Sequence, residues 1–154
     1  MTTTCGFLVR YQRALEKELT VPVVTSTPLS YGAFQQNLSE SIRVAILTID
    51  KAALRSTACA AANIPHDALI FDLPGESHLR RAIFESSFPL DVPAAEREWV
   101  NFAASVQREH PCIGQWLFEC GNTPPYTGAV VGTTGVAFYD ALAMGNALYR
   151  SVQP

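Results

Sequence analysis

Charge is scarce in this sequence. Only 16% of its 154 residues are Asp, Glu, Lys or Arg, against roughly 25% in an ordinary soluble domain. What charge there is sums to −3, so there is no basic footprint for nucleic acid. Long apolar runs are missing too. Stretches such as Val44–Leu47 fall far short of the ~20 residues that span a bilayer. The opening Met1-Thr2-Thr3-Thr4 has no basic region and Arg10 interrupts any apolar one, so no secretory signal is read and a cytoplasmic protein is expected. The four cysteines, at 5, 59, 112 and 120, form no CxxC pair and no Cys/His ligand spacing, which argues for free thiols and against a zinc site. There is no GxSxG nucleophile elbow. Gly132-Thr133-Thr134-Gly135 lacks the lysine of a phosphate loop and reads as a turn into a strand at Val136.

Hydrophobicity, by contrast, is ample at 48%, which excludes disorder and suffices for one packed domain. So little charge on so small a chain also implies that part of its surface is covered. β-rich runs stand at Val21–Val24, Arg43–Ile49, Ala68–Asp72, Gly114–Glu119 and Val136–Phe138. Helical patterns lie between them. Phe7, Leu8, Tyr11, Leu15 and Leu19 recur at helical spacing. Asp50 is placed to cap an Ala-rich helix over Lys51–Ala62. Pro93 opens a helix whose stripe is Trp99, Phe102, Ala103 and Val106, ended by His110-Pro111, and a last helix covers Asp140–Tyr149. This alternation predicts an α/β fold, a parallel sheet flanked by helices. Met1–Thr4 is too short to feed the helix that follows, so the chain reads as starting inside a βα unit, with a leading piece missing or supplied by a partner.

Cys5 precedes a helix start, and Cys120 follows the apolar strand Ile113–Glu119. Parallel sheets collect ligands at such strand ends. The N–H groups there bind carboxylates, and the same field favours a thiolate. Each cysteine is followed by glycine, Gly6 and Gly121, which lets backbone approach a ligand closely. Asn122 and Thr123 add neutral donors and acceptors. Cys59, inside an Ala-rich helix, and Cys112 read as inert. His66, His78 and His110 read as surface or capping residues, and Arg80-Arg81 as a solvated helix face, with pairing of an arginine to a substrate carboxylate as the alternative. From the sequence, Glu119 could point either way.

Thr3-Thr4-Cys5-Gly6-Phe7-Leu8, Val21-Pro22-Val23, Arg43-Val44-Ala45-Ile46-Leu47-Thr48 and above all Glu119-Cys120-Gly121-Asn122-Thr123-Pro124-Pro125-Tyr126 resemble the aspartate/glutamate racemase family. That broad superfamily also holds hydantoin racemases, maleate isomerases and arylmalonate decarboxylases. The resemblance covers essentially the whole chain. It implies two pseudo-symmetric α/β lobes with the site between them, one cysteine from each lobe, and no cofactor or metal. Cys5 and Cys120 would be the catalytic pair, one thiolate removing an α-proton and the other thiol returning one to the opposite face. Thr4, Gly6, Phe7, Gly121, Asn122 and Thr123 would bind substrate, with backbone N–H groups around Thr4, Gly6, Gly121 and Asn122 facing its carboxylate. Relatives commonly carry Thr where this chain has Gly121, which removes one hydroxyl contact.

The resemblance therefore implies a cofactor-independent amino-acid racemase acting on a small, aspartate- or glutamate-like carboxylate. The alternatives are a non-catalytic fragment or pseudoenzyme, or a related decarboxylase or maleate isomerase. Residues 1–42 would be a remnant of the first lobe, 43–132 the second lobe, and 133–154 a segment returning to the first. An open sheet edge would favour a homo-oligomer. No nucleic-acid or membrane partner is expected.

Overall fold

The structure, a computed structural model, describes residues 1–86 and 89–153. Its centre is a four-stranded, all-parallel sheet with helices on both faces, as the alternating pattern predicts. The strands are β1 (Arg43–Thr48), β2 (Leu69–Asp72), β3 (Ile113–Phe118) and β4 (Ala137–Tyr139), in the order β2-β1-β3-β4. Successive side chains of a strand point to opposite faces, and β1 shows the consequence. Ala45 and Leu47 enter one core with Trp99, Trp116, Phe118 and Val130, while Val44 and Ile46 enter another with Val9, Tyr31, Leu54 and Ile70. A strand buried on both faces needs an unbroken apolar run, and Val44–Leu47 is one.

The helices are α1 (Gln12–Glu18), α2 (Tyr31–Gln36), α3 (Lys51–Thr57), α4 (His78–Phe84), α5 (Val92–Glu109), α6 (Pro124–Thr134) and α7 (Ala141–Ser151). Asp50, Ser77, Asp91 and Asp140 cap four of them by accepting backbone N–H bonds in the first turn. Among the described residues no helix is long and apolar enough to cross a membrane.

Three expectations are corrected. Val21–Val24 forms no regular strand. It makes a single parallel bridge, Thr2 to Val24, supported by the Val24 N–H to Met1 carbonyl bond at 3.0 Å, because only the short Met1–Thr4 stub lies beside it. The Ala-rich helix ends at Thr57 rather than Ala62. The chain leaves it through turns to Asn63, whose φ of 53° is left-handed. Gly132–Thr134 is helix, not turn. The Thr133 and Thr134 hydroxyls bond back to the Ala129 and Val130 carbonyls, and the stop comes at Gly135, with φ 69°.

This topology fixes where a site can form. From β1 the chain goes to β2 on one side, then returns past β1 to β3 on the other. The helix after β1, α3, packs on the Leu54 face, and the helix after β3, α6, on the Val130 face. The loops that follow β1 and β3 thus part in opposite directions. They leave a crevice at the carboxyl ends of the two strands, the switch point at which open α/β sheets bind ligands.

Candidate active site

Thr48, Glu119 and Cys120 close the crevice from below, at the ends of β1 and β3. The chain's first residues close it from above. Met1–Thr4 and Pro22–Thr25 lie side by side. The Gln12 side chain binds the second of these stretches by donating to the Val23 carbonyl at 2.7 Å and accepting the Thr25 N–H at 2.8 Å. The Thr27 hydroxyl then donates to the Phe118 carbonyl at 2.6 Å, so this segment is seated on the end of β3.

The two cysteine motifs meet there reciprocally. The Gly121 N–H donates to the Thr4 carbonyl at 3.0 Å, and the Gly6 N–H donates toward the Glu119 carboxyl. The residue before each cysteine therefore contacts the glycine after the other. Both glycines are needed for this approach. A Cβ on Gly6 would overlap the Glu119 carboxyl, and one on Gly121 would stand 2.7 Å from Thr4 Cβ and closer still to the Thr4 carbonyl. Here the glycines admit the opposite motif as well as any ligand.

Cys5 is exposed and stands at the start of a short 3-10 helix, Gly6–Tyr11. Cys120 is partly buried. Burial pushes its thiol up from the ordinary cysteine range, and the nearby Glu119 and Cys5 push the same way. The backbone and side-chain N–H groups of Asn122 oppose them, the Asn122 Nδ2 lying 3.6 Å from the sulfur. Of the other residues expected to face substrate, Thr123 is fully buried and its hydroxyl donates to the Cys120 carbonyl at 2.7 Å. Phe7 packs against the core around Val9 and Leu117. The N–H groups of Gly6, Gly121 and Asn122 are turned to Glu119, Thr4 and Cys120, so they tie the site together.

The sequence reading missed a layer of buried polar side chains under the two thiols. Thr25, Ser26, Thr27, Thr48 and Glu119 are all 5% exposed or less. The Thr48 hydroxyl donates to Glu119 Oε2 at 2.8 Å, and burial pushes the Glu119 carboxyl up from its ordinary value. The available signal was the abrupt change from apolar to polar at the end of two strands, Leu47 to Thr48 and Phe118 to Glu119. Arg80 offers substrate little charge. It donates to the Ile49 carbonyl and stands 3.9 and 3.7 Å from Asp50 and Asp72. His78 bonds Glu98 at 2.7 Å, and His110 ends α5 against the Phe71 ring. No cluster of His, Cys, Asp or Glu able to hold a metal occurs among the described residues. A cavity of about 570 Å³ opens beside the Cys120 loop, walled by Leu79, Ile83, Leu90 and Val92 and by Asn122 and Tyr126.

A solved allantoin racemase from Pseudomonas fluorescens superimposes on 92% of this chain with a TM-score of 0.64, at 17% sequence identity. The two share an α/β fold. The match takes in 56% of that racemase. A dimethylsulfoniopropionate lyase from Durusdinium sp. clade D is 26% identical over 97% of this chain and 51% of the lyase. The chain thus spans about half the length of these two proteins. No family model matches the sequence.

Proposed function

We propose that this chain carries a cofactor-independent centre that moves a proton at the carbon next to a carboxylate, with Cys5 and Cys120 as the acid–base pair. The observation that carries this reading is the Gly121 to Thr4 hydrogen bond, 3.0 Å, which seats the two Cys-Gly motifs against each other at the switch point. Cys120, its thiol raised by burial and by its neighbours, enters the cycle as the acid, and Cys5 is then the base. The Cys5 thiolate takes the α-proton, and the C–H electron pair moves into the carboxylate. The Cys120 thiol returns a proton from the other face, and the roles exchange for the opposite enantiomer. The crevice and the adjoining cavity of about 570 Å³ are sized for a small substrate, here an aspartate- or glutamate-like amino acid.

The similarity to a dimethylsulfoniopropionate lyase favours a second reading with the same first step. After α-proton removal the electron pair can form a carbon–carbon double bond while a sulfide leaves from the β-carbon with the C–S pair. That elimination needs one base and no acid on the opposite face.

Proton NMR in D2O separates the two. The chain is incubated with aspartate, glutamate, allantoin or dimethylsulfoniopropionate, and the α-proton signal and product are followed. Exchange without a new product, abolished in both Cys5→Ala and Cys120→Ala, supports the two-thiol centre. Sulfide release that survives one of the two substitutions supports elimination. No reaction from folded protein on any of the four overturns both and leaves the non-catalytic reading.

A further inference from the structure

Glu119 is 5% exposed and directly precedes Cys120 in the chain. It spans three separate parts of the chain. Thr48 at the end of β1 donates to its Oε2 at 2.8 Å, Gly6 of the Cys5 loop donates its N–H toward the same carboxyl, and its own backbone carries Cys120. The Glu119 N–H is in turn bonded to the Leu47 carbonyl at 3.0 Å, so the residue is fixed to the sheet on its main chain and to the Cys5 loop on its side chain. A carboxyl is expensive to bury, and such groups are kept where their bonds hold something in place. Gly6 has given up its Cβ to admit this carboxyl.

We infer that Glu119 is a positioning residue that sets the separation of the two thiols, holding the Cys5 loop to the end of β3 through its bonds to Gly6 and Thr48. The inference rests on the reading that Cys5 and Cys120 act together, and it makes Glu119 the part of the Cys120 motif that acts on the other cysteine. The Cys5 loop has no regular sheet pairing of its own beyond the bridge at Thr2, so such side-chain bonds carry more of its placement. Without the carboxyl, the Thr4 to Gly121 bond is the remaining direct main-chain tie between the two motifs.

The test reads thiol separation without any substrate. Phenylarsine oxide condenses with two thiols, forming two As–S bonds and releasing one water, and so bridges them when they are close. The bridge is located by peptide mass spectrometry on the full chain, and iodoacetamide labelling of each thiol separately reports that both remain reactive. Wild type and Glu119→Gln, whose amide oxygen still accepts from Gly6 and whose NH2 group can donate to the Thr48 hydroxyl oxygen, should bridge Cys5 to Cys120 equally. Glu119→Ala should bridge about ten-fold less, the ratio expected from losing a hydrogen bond to a buried charged or polar group. Thr48→Val, which keeps the carboxyl, should fall between them and serves if Glu119→Ala does not fold. Equal bridging in all variants overturns the inference, as does loss of bridging in Glu119→Gln or its absence in wild type. If bridging follows Glu119 while wild type exchanges no α-proton on any substrate, the positioning role stands and the proposed reaction falls.

Discussion

Thr4-Cys5-Gly6 and Glu119-Cys120-Gly121 have the same pattern and meet at the same place, but they are held there by unlike means. Cys120 ends a strand that is hydrogen-bonded on both sides, to β1 and to β4, and buried against Trp99 and Phe138. Its position follows from the hydrophobic core. Cys5 sits in a segment with one β-bridge, and beyond the packing of Phe7 and Val9 its place depends on polar bonds made by Gln12, Thr27, Gly121 and Glu119. Each such bond contributes about 1 kcal/mol net, whereas a buried side chain the size of Trp or Phe contributes about 3 kcal/mol or more. Half of the site therefore inherits the stability of the fold, and the other half is attached to it. The difference teaches that a two-residue centre can be lost by loosening one side while the fold stays intact.

Two substitutions bear on that contrast. Trp99 is fully buried and meets Phe118 edge to face at 5.1 Å. Trp99→Ala should lower global stability by about 3–5 kcal/mol, measured by urea unfolding. Both thiols should then become labile together, because the sheet between the two cores carries Cys120 at the end of one strand and the face on which Phe7 and Val9 of the Cys5 segment pack. A loss confined to Cys5 would contradict the picture of two cores joined through one sheet. Gly121→Ala attacks the attachment instead. Its new Cβ would stand 2.7 Å from Thr4 Cβ, so the Cys5 segment must move while the sheet stays packed. α-Proton exchange should drop on the order of a hundred-fold, as expected when a reacting group shifts by about an ångström. The melting temperature should change far less than for Trp99→Ala. Unchanged exchange would mean that the Thr4 contact does not set the geometry.

The same contrast explains what could be read from the sequence. The sheet, the flanking helices, the cap at Asp50 and the start of the last helix near Asp140 were legible because they follow from local periodicity and from one-residue rules. Cys5, Cys120 and Gly121 were legible as candidates because they sit at strand ends and helix starts. What pairs with what was not. That Gly121 faces Thr4 and Gly6 faces Glu119 depends on how a short segment folds back over a distant strand end, and no periodicity encodes that. Glu119 was ambiguous because a lone carboxylate after an apolar strand fits a solvent-exposed turn as well as a buried tie. The Val21–Val24 run has strand composition, but composition does not supply the neighbouring strand that a β-ladder needs.

Glu119 also gives the attachment a pH signature, smaller than either substitution effect. Burial raises its pKa above the ordinary carboxylate range, only partly opposed by the bonds from Thr48 and Gly6. The folded chain therefore holds this proton more tightly than the unfolded chain does. Its contribution to stability is complete below the unfolded carboxylate pKa and is lost as pH rises through the raised folded value. Burial raises Cys120 and Cys59 in the same direction, but in the alkaline thiol range. Glu85, lowered by its bond to Arg81, works in the opposite sense and is unchanged by a substitution at Glu119. Glu119→Gln removes the proton without removing the acceptor. The stability of wild type relative to Glu119→Gln should thus decline with rising pH above the ordinary carboxylate range and level off once Glu119 is ionised. Urea unfolding of both proteins across that range measures the difference. A difference that does not vary with pH would show that Glu119 is not buried as a titrating group.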